Sequence, residues 1–345
     1  MSTPAAYHGP PVRLSICIPT YNFGPYIGPT LESILPQVTE DVEVCVLDGG
    51  STDETPQVIE ALQREHPRLR YERRPERGGI DRDMLRTVAM ARGEYAWIFC
   101  ADDVMHPGAV RHVLERLDSG CDLYLCGLTL CELDMTPIRK HRVARIESDA
   151  EFDLSDGADR LRYFELAETT TAFFSFAGSL IVRKQSWDAA GPDERFFGSL
   201  WAHVAQILRM IPNGLRLHYI PESLLDKRRD NDSFMDEGLV KRYRIAIDGY
   251  HRLADAYFPH DSPEARHMRR VVTNEFQPWI LLATKLETHR LGTGEEATVD
   301  RLAAAAYADP TPRNYAYRAL YRGTPLSGYK AFKSVKRLIS ARGAR

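Results

Sequence analysis

Residues 76–106, ERGGIDRDMLRTVAMARGEYAWIFCADDVMH, decide how the chain is read. A Gly-Gly turn leads into a helical pattern that stops at Gly93. A short apolar run, 95–100, then ends abruptly in Ala101-Asp102-Asp103. An apolar run of this length between turn signals predicts a buried strand. Two adjacent carboxylates at its end are costly to leave unpaired. Mn2+ or Mg2+ is a natural partner, since both favour carboxylate oxygen and keep positions open for phosphates. The plainer alternative is that Asp102 and Asp103 cap a helix beginning near Pro107.

The flanking sequence predicts more units of the same kind. A strand at 14–18 ends at Pro19, and Thr20-Tyr21-Asn22 opens a helix running to Pro36. A second buried strand at 42–47 is followed by Asp48-Gly49-Gly50-Ser51-Thr52-Asp53, where Ser51 or Thr52 can cap the next helix. A third strand covers 69–72. After the Asp-Asp strand come a helix and a strand at 121–130. Strands alternating with helices predict an α/β fold with a largely parallel sheet. Ligands gather at the carboxyl ends of such strands, where Thr20-Tyr21-Asn22, Asp48-Gly49 and Asp102-Asp103 all fall. Further on, the pattern gives a charged loop within 139–160, a strand at 173–183, a helix at 199–210 and a strand at 215–220. From 237 the pattern is helical, with packed-helix spacing over 243–258 and 268–286. The expected division is a Pro- and Gly-rich disordered N-terminus at 1–12, an α/β domain at 13–235 and a helical region at 236–345.

Composition narrows the classes. The 345 residues carry a net charge of −3, which gives no reason to expect nucleic acid as a partner. Six cysteines occur without a Cys-x-x-Cys pair, several inside apolar runs, as expected of small core residues in a reducing compartment. No stretch reaches the roughly 20 apolar residues of a transmembrane helix, and the expected location is the cytoplasm. The first turn, PTYNFG, is neither a dinucleotide fingerprint nor a phosphate loop.

SICIPTYN, LDGGSTDET, the GGIDRD helix ending in ARGEY, and the ADD loop together resemble the nucleotide-sugar-binding half of family 2 glycosyltransferases. That resemblance covers about residues 13–235 and implies the GT-A fold, Rossmann-like with helices on both faces. GGIDRD, FAGSLIV, GSLWAH and RDNDSF are similar to the subgroup containing bacterial abequosyltransferases, which add a dideoxyhexose to an O-antigen intermediate. The implied activity is metal-dependent, inverting transfer from a nucleotide-diphosphate sugar to a sugar, lipid-linked or small-molecule hydroxyl acceptor.

The resemblance also implies roles. Pro19, Thr20, Tyr21 and Asn22 line the nucleotide, and Asp48 hydrogen-bonds the base. The family's second acid is here Gly49, which puts that contact in question. Asp81 and Arg82 fall near the base and diphosphate, Asp102 faces the ribose or donor sugar, and Asp103 ligates the metal. The commoner pattern has a further acid where this chain has Cys100. The family's general base is an acid in a Glu-Asp pair opening a helix, and 197–203 lacks that pair. His203 is the natural replacement, with an imidazole that accepts a proton near neutrality. Asp193 and Glu194 are in reserve, and a core histidine is the competing reading of His203. Arg228 and Arg229 suit a diphosphate, with Asn231 and Ser233 beside them, or else form a solvated charge run. Trp201 stacks on an acceptor sugar or fills core.

The last segment, 328–339, has the pattern of a basic amphipathic helix. It suits either peripheral contact with an anionic membrane or packing on its own domain or a homodimer partner. A nucleotidyltransferase and a non-catalytic binding protein are the competing functions.

Overall fold

The computed structural model describes residues 11–231 and 238–325. The chain divides into two compact units, one of residues up to 166 with 171–231, the other of 167–170 with the residues from 232.

In the first unit β1 (Leu14–Thr20), α1 (Gly24–Ile34), β2 (Val42–Asp48), α2 (Thr55–Glu65), β3 (Leu69–Arg73), α3 (Ile80–Met90) and β4 (Tyr95–Ile98) alternate as expected. Then follow β5 (Val104–Met105), α4 (Ala109–Arg116), β6 (Leu123–Cys131), β7 (Pro137–Lys140), β8 (Ala150–Asp153) and α5 (Gly157–Leu166). β9 (Leu180–Arg183), α6 (Lys184–Ala190), α7 (Ala202–Met210) and β10 (Arg216–Arg228) complete the unit. All ten strands form one sheet, whose main path is β3-β2-β1-β4-β9-β6-β10-β5. β7 pairs with β6, and β8 with β10.

The first half of the sheet is parallel: β2 pairs with β3 and β1, and β1 with β4. β1 and β2 are buried along their whole length, the reason both read as unbroken apolar runs. Pro19 is tolerated in a central strand because the ladder from β1 to β4 runs only from Leu14 to Cys17. At the other strand ends, Glu43 accepts from Ser15 Oγ at 2.7 Å and from Arg70 Nη1 at 3.2 Å. Gly93 is required there, since a Cβ would lie 2.8 Å from the Ser15 nitrogen. Beyond β4 the sheet is mixed, because β9 runs antiparallel to both β4 and β6.

Residues 173–183 do not form one strand. Two short 3-10 turns, Thr170–Phe173 and Ala177–Ser179, precede β9. β10 is longer than expected. Register shifts between Ile220 and Asp226 absorb Pro221 and carry the strand on to Arg228. Five of the six cysteines are buried, and all are free.

The second unit contains α8 (Leu239–Tyr257), α9 (Pro263–Glu275), α10 (Pro278–Leu291), α11 (Glu296–Ala306) and α12 (Pro312–Gly323). The apolar pattern over 268–286 is split between α9 and α10, because Pro278 opens a new helix. Ser262 and Thr311 cap α9 and α12 with their hydroxyls. The 167–170 segment belongs here: Glu275 Oε1 accepts from the Thr170 N–H at 2.8 Å, and Arg270 donates to the Ala167 carbonyl at 2.9 Å. No helix among the described residues is long and apolar enough to cross a membrane. The 328–339 segment, most of the expected disordered N-terminus and Ser233 lie outside the described residues.

Candidate active site

Asp103 lies buried at the carboxyl edge of the sheet. It is 1% exposed. Its Oδ1 accepts the Arg228 backbone N–H at 2.9 Å, while its buried Oδ2 has no hydrogen-bond partner among the described residues. Burial, and then the negative charge of Asp102, push this carboxyl well above the usual carboxylate range; Lys227 opposes them. Asp102 Oδ2 accepts from Asn231 Nδ2 at 2.8 Å. Neither acid caps α4, whose N-cap is Gly108 and carries no side-chain bond. The capping alternative is therefore overturned. An orphaned buried carboxylate oxygen beside a second acid fits a hard divalent cation.

The end of β10 closes over this loop. Arg228 Nε donates to the Asp102 carbonyl at 3.0 Å, and Nη1 donates to the Leu133 carbonyl. Its guanidinium lies 4.9 Å from the centre of the Tyr26 ring. Lys227 packs its ammonium 4.6 Å from the Phe176 ring centre. Arg229 turns away and pairs with Asp230 at 2.8 Å.

The residues around Asp48 correct several expectations. Asp48 Oδ1 accepts from the Gly50 and Ser51 N–H groups at 3.0 and 2.7 Å. Oδ2 accepts from Tyr71 Oη at 2.8 Å, with Arg73 Nε at 3.6 Å. A fully buried carboxylate with these four partners has little acceptor capacity left for a base. Asn22 is a staple between loops: its N–H donates to Ser51 Oγ and its Oδ1 accepts from the Thr52 N–H, both at 2.8 Å. That use of Ser51 and Thr52 explains why neither caps α2, whose first N–H donates to Asp53 instead. Pro19 and Thr20 are buried in β1, and Tyr21 presents its ring 4.3 Å from the Arg77 guanidinium.

The comparisons decide the family. The family model described as Glycosyl transferase family 2 matches residues 15–184. Abequosyltransferase RfbV of Salmonella typhimurium is 32% identical over 272 residues, covering 77% of this chain and 81% of that protein. The chain belongs to glycosyltransferase family 2. Solved structures agree in fold. Staphylococcus aureus TarS in complex with UDP-GlcNAc superposes with a TM-score of 0.59 at 18% identity, over 95% of this chain and 92% of that one. Pyrobaculum calidifontis mannosyltransferase PcManGT, in complex with GDP-Man and Mn2+, gives 0.54 at 18%, over 96% and 90%.

In this glycosyltransferase the loop expected to supply the base is built around Asp81. The buried carboxylate accepts from the N–H groups of Gly198 at 2.7 Å, Leu200 at 3.1 Å and Ala202 at 3.2 Å. Burial raises its pKa and those amides lower it. Asp81 thus shapes the loop instead of reaching a base or diphosphate. Leu200 is held at φ +71°, a conformation costly for a branched side chain. Arg82 lies 4.9 Å from the Phe197 ring centre.

His203 is 4% exposed. Its Nε2 lies 3.1 Å from the Phe174 carbonyl oxygen, to which it donates, and burial lowers its pKa from 6.5 to about 4. As placed, it is a neutral core histidine, a poor proton acceptor for a hydroxyl outside the core. Asp193 is consumed by Arg195, accepting at 2.9 and 2.6 Å. Glu194 is exposed. Trp201 precedes α7, half-buried, with its ring centre 6.3 Å from that of His203.

Sequence reasoning missed Asp83, Tyr71 and Lys227. Asp83 stands two positions from Asp81, and residues so spaced do not normally share a helix face. Both are buried here because the first turn of α3 is enclosed.

One other group has donor atoms spaced for a metal: those of Cys121, Glu151 and His218 lie within 4.8 Å of one another. They sit where β6 and β10 begin, at the opposite end of the parallel strands from Asp103, and Asp149 and Glu151 already flank the His218 ring.

Proposed function

We propose that this glycosyltransferase moves a sugar, a deoxyhexose, from a nucleoside-diphosphate donor to a hydroxyl acceptor with inversion, using Mn2+ or Mg2+ held by Asp103 and Asp102. The observation that supports the metal most directly is the buried, unpartnered Asp103 Oδ2. When bound, the cation supplies positive charge to the departing diphosphate. Arg228 adds to this. Its Nε and Nη1 are anchored on carbonyls, and Nη2 has no bond among the described residues, so its N–H groups are available to a phosphate oxygen. Asn231 orients Asp102. With His203 in the core and Asp193 paired, Glu194 takes the acceptor proton. Similarity to an enzyme named for abequosyl transfer supports the deoxyhexose, and with it a role in O-antigen, polysaccharide or glycosylated natural-product synthesis.

A donor panel tests the reading. UDP-, dTDP-, GDP- and CDP-sugars are screened for thermal stabilisation with and without Mn2+. The expected result is a metal-dependent rise in Tm for one nucleotide class, absent in Asp103→Ala. No rise with any donor overturns it.

A further inference from the structure

Asp83 carries a buried carboxylate for which neither the fold nor the roles above have a use. It is 4% exposed, and its Oδ1 has no hydrogen-bond partner among the described residues. Two glycines face it. A Cβ on Gly49 would come within 2.7 Å of Asp83 Oδ2, and one on Gly78 within 2.5 Å of Oδ1. The carboxylate therefore occupies the space that a side chain at position 49 would take. Asp48, the neighbouring acid, already accepts three hydrogen bonds from the protein.

Resting on the donor reading above, we infer that Asp83 recognises the donor's nucleobase, its carboxylate accepting an N–H from the edge of the base. The acid that this family carries after Asp48 is thereby supplied from α3. An ionised carboxylate is an acceptor only, so its missing partner is a donor. The two glycines put bare backbone against this carboxylate, so no side chain at position 49 or 78 competes for its oxygens. At the same end of β1, the Tyr21 ring under the Arg77 guanidinium adds a flat surface for stacking. Arg74 and Arg77 are near enough to favour the ionised form of Asp83, against a burial that raises its pKa. A base N–H restores what burial removed.

The test is calorimetric binding of UDP, CDP, GDP and dTDP, with pyrophosphate as a base-free probe, all in Mn2+. Asp83→Asn is expected to weaken the preferred nucleotide at least about tenfold and to reorder the four bases, with pyrophosphate unchanged within about twofold. Gly49→Asp alone is expected to lose binding, because the new side chain meets the Asp83 carboxylate. The double variant Gly49→Asp/Asp83→Gly is expected to recover at least a third of wild-type affinity. Unchanged affinity and ranking in Asp83→Asn overturn the inference. So does an equal loss for all four nucleotides, which marks a ribose contact, or an equal loss for pyrophosphate, which marks a phosphate or folding effect. Failure of the wild type to bind any of the four overturns the donor reading itself, and this inference with it.

Discussion

The Asp102–Asp103 loop and the 197–203 loop both place polar groups at the edge of one sheet, and they treat them in opposite ways. In the first, a carboxylate is buried with one oxygen unpartnered and its protonation raised. In the second, Asp81 is buried with three amides directed at it, and His203 is buried against a carbonyl. Polar groups that the protein satisfies by itself are scaffold. A buried group left without a partner costs stability and persists where a ligand completes it. The contrast supports the place proposed for Asp103 in the reaction and sets Asp81 with the fold. His203, whose Nδ1 also has no partner among the described residues, goes with the fold because its ring is buried against the Phe174 carbonyl.

Asp103→Ala should separate the two regions most sharply. Removing the proposed ligand to the cation is expected to lower turnover at least about 100-fold. The substitution removes a buried carboxylate with one unpartnered oxygen but also the acceptor of the Arg228 N–H, so the Tm without ligand should stay nearly level. A large fall in Tm, measured by calorimetry without metal, would return Asp103 to the scaffold.

Asp81→Ala is the mirror experiment. It strips the N–H groups of Gly198, Leu200 and Ala202 of their acceptor, in a loop where Leu200 is already at positive φ. The expected loss of stability is about 2 kcal/mol, the cost of leaving one buried and two part-buried amides without their acceptor. Asp81→Asn, which keeps one acceptor oxygen, should lose about half of that. Full stability in Asp81→Ala with a specific loss of donor affinity would put this residue back beside the diphosphate.

His203 gives the comparison a pH axis. Its folded pKa of about 4 lies below the ordinary 6.5, so between these values the unfolded chain binds more protons than the folded one. The histidine's contribution is complete above pH 6.5 and is lost as pH falls towards 4. The shift corresponds to about 3 kcal/mol. Denaturant unfolding across pH 4–7 should show this slope in the wild type and lose most of it in His203→Gln. Turnover of the folded variant should fall less than about tenfold, whereas Glu194→Gln should cost at least about 100-fold. The reverse order would make His203 the base.

How far the sequence reached follows the same line. The alternation of strands and helices, the carboxyl-edge clusters and the acid loop were all readable, because apolar runs and turn residues are local signals. The antiparallel insertion of β9 between β4 and β6 was not, since pairing partners are set by long-range packing. Asp81, Asp48 and His203 were identifiable as special residues. What each bonds to was hidden, because the amides of 198–202 and the Tyr71 hydroxyl come from distant chain positions. Asp83 was overlooked beside Asp81 for the same reason. Its significance lies in a missing partner and in the absent side chain at Gly49, and neither is a property of its own segment.

The smallest expected effect tests whether the two adjacent arginines at the end of β10 differ as their surroundings say. Arg228 is 9% exposed, fixed to the acid loop by its backbone N–H and its Nε and to the Leu133 carbonyl by its Nη1. Arg229 has a half-exposed side chain, paired with Asp230 at 2.8 Å and Glu132 at 3.8 Å. Exposed pairs of that kind contribute under about 1 kcal/mol, because water screens them and long side chains resist ordering. Arg229→Ala should therefore change stability by less than about 0.5 kcal/mol and Mn2+-dependent donor binding by less than about threefold. Arg228→Lys retains the charge but loses the planar fork that spans the carbonyls, and should weaken donor binding well beyond that. If instead Arg229→Ala abolishes the donor-induced rise in Tm while Arg228→Lys leaves it intact, the phosphate contact belongs to the exposed arginine. Burial would then be a poor guide to which residues at this sheet edge serve the reaction.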